Sequence, residues 1–382
     1  MTRSIVAVTA VLLFAGVSVL VSPSVADDIE VVRIGFAAPL TGPSASDGKE
    51  MENSARMAIE DANRLSPMLA NRPVRFELSA QDDQGDPRIA SQIAQRFSDM
   101  SVAGVVGHFN SSCSIAASDV YESASIAEVS PSSTSPAYTS RGYKTTFRVV
   151  GQDRAAGSVL AHYVVETLHA QRIAIIDDRT AFGQGLADTV NDAIGSSHGQ
   201  VAGREYITDK TVDFSAVLTR IRSQNVDVVV FGGFDAQAAQ LVRRMRSLQM
   251  NAKLVGEGFN NEIFLKLAHG DGEGTVTIQP GLPMDKLPAN DFSRRYEDSF
   301  KQKLEGFQGP YAYDATMVLV HAVLESQSTV PGNVLGAVRR THMVGITGPL
   351  AFDKNGDLSG APYTVYRLDG NEWNVVKIIA GE

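Results

Sequence analysis

Residues 102–112, Val102-Ala-Gly-Val-Val-Gly-His-Phe-Asn-Ser-Ser112, decide how this chain is read. Val102 to Gly107 is a short apolar run, as a strand buried on both faces requires. Ser111 and Ser112 follow it where a helix should begin. Ser132-Ser133-Thr134 repeat the arrangement after a second short strand, Ile126 to Val129. In open parallel sheets, ligands bind beyond the carboxyl ends of the strands. Free backbone N–H groups at a helix start favour an anion there, and hydroxyls add donors, so a carboxylate is a natural guest. Helix capping and turn formation account for the same hydroxyls. The local pattern divides evenly between the two readings.

Outward from this stretch, short apolar runs alternate with amphipathic segments from Val31 to about Ile278. Val31 to Ala38 reads as a strand. Glu50 to Asn63 reads as a helix with Met51, Ala55, Ala58, Ile59 and Ala62 on one stripe. Val74, Phe76 and Leu78 alternate with polar residues as a strand does. Asp86-Pro87 sets an N-cap before proline at the first helical position. The rhythm restarts after the Ser/Thr/Pro-rich connection Ser130 to Ser140, with strands expected at Arg172 to Asp177, Val201 to Ile207 and Val226 to Phe231. The helices between them are expected at Asp153 to His169, Gly183 to Ile194, Asp213 to Ser223 and Asp235 to Leu248. The last part holds helices Asn290 to Leu304 and Pro310 to Ser326, then two strands joined through the hairpin signal Asp369-Gly370. Two runs of alternation predict an α/β protein of two Rossmann-like lobes, each a largely parallel sheet covered by helices.

The first residues carry Arg3, an apolar run from Ile5 to Val21, and Ser24-Val25-Ala26 before Asp27-Asp28. This order predicts a secretory signal peptide over residues 1–26, cleaved after Ala26. A retained anchor is the alternative, and the small-residue site favours removal. No cysteine follows the run to take a lipid. The chain has 382 residues, a length that divides into two domains, and a formal net charge of −9. That acidic balance excludes a nucleic-acid partner, whose phosphates demand a basic face. Cys113 is the only cysteine, so no internal disulfide can form.

Motifs for catalysis fail in detail. The stretch Gly42 to Lys49 has one residue too many for a phosphate loop, and Glu50 replaces the Mg²⁺-binding hydroxyl. Gly183-Gln-Gly185 lacks the third glycine of a dinucleotide fingerprint, where Asp188 stands. Asp353, Asn355 and Asp357 have calcium-loop spacing, but Leu358 and Thr364 occupy the positions of the glycine and the closing glutamate, so a solvated turn is expected. No zinc-protease helix and no nucleophile elbow occur. The chain is therefore expected to be neither an enzyme nor the holder of a cofactor or metal.

The ordered set of segments resembles the periplasmic leucine/isoleucine/valine-binding proteins, the receptors of branched-chain amino-acid ABC transporters. It includes Ile34-Gly-Phe-Ala-Ala-Pro-Leu-Thr-Gly-Pro43, Val105-Val-Gly-His-Phe-Asn-Ser-Ser112, Ala117-Ser-Asp-Val-Tyr121 and Pro131-Ser-Ser-Thr-Ser-Pro136. It continues through Phe182-Gly-Gln-Gly-Leu-Ala187, Phe231-Gly-Gly-Phe234 and Gly348-Pro-Leu-Ala-Phe-Asp353. The resemblance implies a Venus-flytrap fold of the type I periplasmic binding proteins, with three crossovers near residues 148–152, 278–284 and 346–352. Residues 27–149 plus 282–348 would form lobe 1, and residues 150–281 plus 349–382 lobe 2.

The same resemblance implies an amino-acid clamp. Ser111 would give its hydroxyl and N–H to the α-carboxylate, with Thr134 at the same end. The Ser132 carbonyl would accept from the α-ammonium, with Ser133 lining that turn. Glu257 would pair with the ammonium from the other lobe, and Phe182 and Phe234 would close an apolar wall. Gly85 and Asn110 stand where some relatives carry a disulfide. Asp47 stands where some relatives place an aromatic residue of the side-chain pocket. Solvent is its slightly favoured direction, and a polar or cationic side chain its partner if it faces inward. The expected function is periplasmic capture of a branched-chain or other small amino acid by a monomer that delivers it to an inner-membrane ABC permease. A ligand-sensing module for γ-aminobutyrate, amides or aromatic acids is the alternative.

Overall fold

The computed structural model describes residues 29–197, 199–289 and 291–381. The signal peptide expected over residues 1–26 lies outside them. The first sheet is built from β1 (Glu30–Ala38), β2 (Met68–Leu69), β3 (Arg72–Asp82), β4 (Gly104–Gly107), β5 (Glu128–Ser130) and β6 (Thr146–Arg148). Their order is β2-β3-β1-β4-β5-β6, all parallel except β2. The second sheet contains β7 (Ile173–Asp177), β8 (Val201–Tyr206), β9 (Val228–Gly232), β10 (Lys253–Glu257) and β11 (Val276–Pro280), all parallel. A small hairpin of β12 (His342–Val344) and β13 (Pro349–Ala351) precedes β14 (Tyr363–Asp369) and β15 (Glu372–Ile379). The last two strands add antiparallel to the edge of the second sheet, giving β15-β14-β11-β10-β9-β7-β8.

Helices cover both faces of each sheet, which is why β4, β7 and β9 are buried from end to end and read as unbroken apolar runs. In the first lobe these are α1 (Ala45–Arg64), α2 (Pro87–Asp99), α3 (Ser111–Ala124) and the single turn α4 (Pro136–Thr139). The second lobe has α5 (Asp153–His162), α6 (Ala181–Ser196), α7 (Ser215–Arg222), α8 (Asp235–Ser247) and α9 (Glu262–Ala268). The chain then returns to the first lobe with α10 (Phe292–Phe300), α11 (Gln308–Ser326) and α12 (Pro331–Val338). Ala315 and Leu319 of α11 join Met51 and Ala55 of α1 in one core against the first sheet. Cys113 is fully buried on the opposite face, among Ile93, Phe97 and Ala117.

Two differences from the sequence reading matter for the site. Helix α1 begins at Ala45 rather than Glu50, because Gly48 lets its first turn press against the Pro39 carbonyl; a Cβ at Gly48 would lie 2.0 Å from that oxygen. Residues 349–358, expected in the second lobe, pack with the first. Leu350 belongs to the first core, Phe352 and Leu358 lie against it, and the Arg148 N–H donates to the Gly356 carbonyl at 3.0 Å. We place the third crossing after Leu358, where the chain leaves for β14. The turn expected to be solvated is thereby half anchored, since Asp357 is buried against Arg148.

Candidate functional site

Each sheet reverses its strand order once. In the first, β1 continues outward to β3 and inward to β4; in the second, β7 has β8 on one side and β9 on the other. Loops diverge at such switch points and leave a crevice at the strands' carboxyl ends. The two crevices face each other across one cavity lined by residues of both lobes, the kind of concave place where small-molecule sites form.

The first lobe contributes the hydroxyl wall. Ser111 opens α3; the N–H groups of Cys113 and Ser114 donate to the Asn110 carbonyl, which leaves those of Ser111 and Ser112 free at the helix start. Its Oγ accepts from the Ser135 N–H at 3.4 Å and borders the cavity with Ser132 and Thr134. Ser133 does not join them. It is fully buried, its hydroxyl bonded to Ser114 Oγ at 2.8 Å and donating to the His108 carbonyl at 3.3 Å. The turn is held from behind by Arg148, which has no exposed side-chain surface. Arg148 donates to the carbonyls of Ser133 (2.5 Å) and Ser135 (2.9 Å), to Thr139 (2.8 Å) and to Asp357 (2.7 Å). Sequence reasoning missed this brace, because its acid, Asp357, lies 209 residues from Arg148 in the chain.

The second lobe contributes acid and aromatic rings. Glu257 ends β10, is 4% exposed, and its Oε2 is buried with no hydrogen-bond partner among the described residues. Burial pushes its carboxyl well above the usual range, and the neighbouring Asp153 charge adds to the rise. Asp153 is itself pushed up to about 7 by burial, offset in part by Thr134 and Arg148. Phe182 and Phe234 pack at 5.5 Å between centroids. Phe234 also stacks on Phe109 of the first lobe at 6.1 Å, so the rings meet across the cleft. Gly183 and Gly232 make this geometry possible, since a Cβ on Gly183 would fall 2.4 Å from the Gly232 carbonyl oxygen. The glycines at the start of α6 thus serve close packing on β9.

Asp47 lines the cavity instead of pointing to solvent. Burial raises its carboxyl to about 8, with the charges of Asp235, Glu50 and Glu305 contributing in that order. Asp235, the first residue of α8, lies in the same wall. It follows a strand and opens a helix, so the rule that found Ser111 could have found it. Phe307 and Gln308, at the start of α11, complete the wall. Glu50 holds them in place by accepting from the N–H groups of Glu305 (2.7 Å) and Gly306 (3.0 Å). Nothing local in the sequence marks that pair. Among the described residues there is no cluster of acidic, His or Cys side chains that could hold a metal, and no helix is long and apolar enough to cross a membrane.

Fold and cleft together define a two-lobed solute-binding protein. A family model described as periplasmic binding protein matches residues 31–372. The leucine-specific-binding protein of Salmonella typhimurium is 32% identical over 348 residues, spanning 90% of this chain and 92% of that one. A leucine-, isoleucine-, valine-, threonine- and alanine-binding protein of Pseudomonas aeruginosa is 30% identical over 366 residues, 95% of each chain. Among solved structures, a branched-chain amino acid transporter substrate-binding protein from Streptococcus pneumoniae, in complex with isoleucine, superimposes with a TM-score of 0.80 at 20% identity, covering 92% of this chain and 99% of that one. The chain belongs to the periplasmic binding protein family, within its leucine/isoleucine/valine-binding group. It is a solute-binding protein, not an enzyme.

Proposed function

We propose that the protein captures an α-amino acid in this cleft, outside the cytoplasm, and presents it to an inner-membrane ABC permease. The observation that carries this reading is the polarity of the cavity. Hydroxyls and a helix N-terminus stand at one lobe, and a buried, unpartnered carboxylate at the other. A zwitterion satisfies both ends at once. Its carboxylate meets Ser111, the N–H groups of α3 and Thr134; its ammonium meets Glu257 and the Ser132 carbonyl. Phe109, Phe182 and Phe234 exclude water, which strengthens both pairings. The amino-acid relatives support this class of ligand. Export through residues 1–26, a periplasmic location and a monomeric state belong to the same proposal.

A thermal-shift screen across the twenty amino acids and γ-aminobutyrate tests it. The bound ligand at 100 times its dissociation constant should stabilise the protein by about 2.7 kcal/mol. A flat response to every amino acid would remove the reading.

The acids also set a pH dependence. An acid raised on folding is protonated in the empty cleft, and its charged form grows as pH rises. Asp47 moves from 3.8 to about 8, so the ligand-free protein loses stability through that window as the pH increases. Affinity for an ammonium moves the opposite way and strengthens, by up to about tenfold per pH unit for each proton released. Calorimetry in two buffers of different ionisation heat should show proton release on binding near neutral pH. A heat independent of buffer would contradict the assignment.

A further inference from the structure

We propose that the preferred ligand is a cationic amino acid, its side-chain ammonium or guanidinium seated between Asp47 and Asp235. This rests on the amino-acid reading of the same cleft. Three carboxylates, Asp47, Asp235 and Glu257, line the cavity, and no Lys, Arg or His is among its lining residues. None of the three forms an ion pair among the described residues. Asp235 accepts only from neutral groups, the Asn261 amide at 2.5 Å and the Ala236 N–H at 2.7 Å. Asp47 accepts from no described side chain or backbone group at all.

A helix N-terminus accounts for an acid at either place, since Asp47 lies in the first turn of α1 and Asp235 opens α8. It does not account for two such acids, from opposite lobes, facing one cavity. Glu257 supplies the independent sign of a missing guest. It is 4% exposed, aimed into the same cavity, and its Oε2 has no donor. A neutral zwitterion brings one positive charge for three acids. Once Glu257 has taken the α-ammonium, Asp47 and Asp235, both half-buried, still face the same cavity with no cation to pair with. Burial is the largest cause of the raised carboxyls of Asp47 and Asp235, and the charge of Asp235 adds to the rise at Asp47. A ligand with a second cation relieves it. The rings of Phe182 and Phe234 suit the methylene stem between the two charges, and a cation near their faces gains further.

The test is calorimetry of the whole mature protein with L-lysine, L-ornithine, L-arginine, L-leucine, L-isoleucine, L-glutamine and 1,5-diaminopentane. At least one of the three basic amino acids should bind about a hundredfold more tightly than leucine or isoleucine. Asp47→Asn and Asp235→Asn, each checked for an unchanged fold by circular dichroism, should weaken the basic ligand at least about tenfold more than they weaken leucine. Leucine or glutamine binding more tightly than every basic amino acid would overturn the cationic assignment while leaving amino-acid capture standing. The diamine binding as tightly as lysine would overturn it too, by showing that the carboxylate end contributes nothing. Silence from every amino acid would remove the underlying reading itself.

Discussion

Glu257→Ala is expected to weaken amino-acid binding by a factor on the order of a hundred or more. Removing one member of a buried charge pair commonly costs 3–5 kcal/mol, because the other charge is left unpaired, and each 1.4 kcal/mol is about tenfold. In the bound state that other charge would be the ligand ammonium, enclosed by Phe182 and Phe234. The ligand-free protein should keep its melting temperature or gain slightly. Glu257 makes no hydrogen bond through Oε2 and sits beside the buried acid Asp153, so the empty cleft loses nothing when it goes. This combination separates a ligand-pairing acid from a structural one. Ser111→Ala should cost less, since the N–H groups at the start of α3 still hold a carboxylate. Binding by Glu257→Ala within about threefold of the parent, under ~0.7 kcal/mol, would show the clamp to be misassigned.

Arg148→Ala is expected to destabilise the fold by about 3–5 kcal/mol, read as a lower urea midpoint. The guanidinium is wholly buried and satisfies two carbonyls, Thr139 and Asp357 together. Its removal leaves Asp357, 8% exposed, without its cation, and frees the turn that presents Ser132 and Thr134. It also unties residues near the first crossing from residues near the third. Affinity should therefore fall with stability, unlike in Glu257→Ala. The double variant Arg148→Met/Asp357→Leu should recover part of the stability, because no charge is then buried alone, yet should not restore affinity. A single variant within about 1 kcal/mol of the parent would mean that the brace is replaceable.

The local pattern of the chain was enough for much of the architecture. Unbroken apolar runs such as Ile173–Asp177 and Val228–Gly232 imply strands covered on both faces, and their alternation with amphipathic helices implies parallel sheets. Hydroxyls at strand-to-helix junctions put Ser111, Ser132 and Thr134 at one cavity wall. Other strands escaped. In Thr146–Arg148 and Val276–Pro280, the polar residues Thr146, Arg148, Thr277 and Gln279 interrupt the apolar run, and nothing in such a short mixed run distinguishes it from a buried loop.

What the sequence determined by itself was periodicity and composition: two α/β lobes, an acidic surface, no internal disulfide, and serines waiting at helix starts. What only the tertiary structure decided was direction. Asp47 turns inward because α1 starts five residues before the apolar stripe suggests, which puts Asp47 one turn ahead of Glu50 and Met51 on the buried face. Ser133 turns away because its hydroxyl is taken by Ser114 and its carbonyl by Arg148. Asp235, Phe307 and Gln308 reach the cavity wall only because the second lobe and the returning helix α11 come together with the first. Local pattern reports which faces are apolar. Which polar side chains meet across a cleft depends on contacts between residues hundreds of positions apart, and no local pattern encodes those.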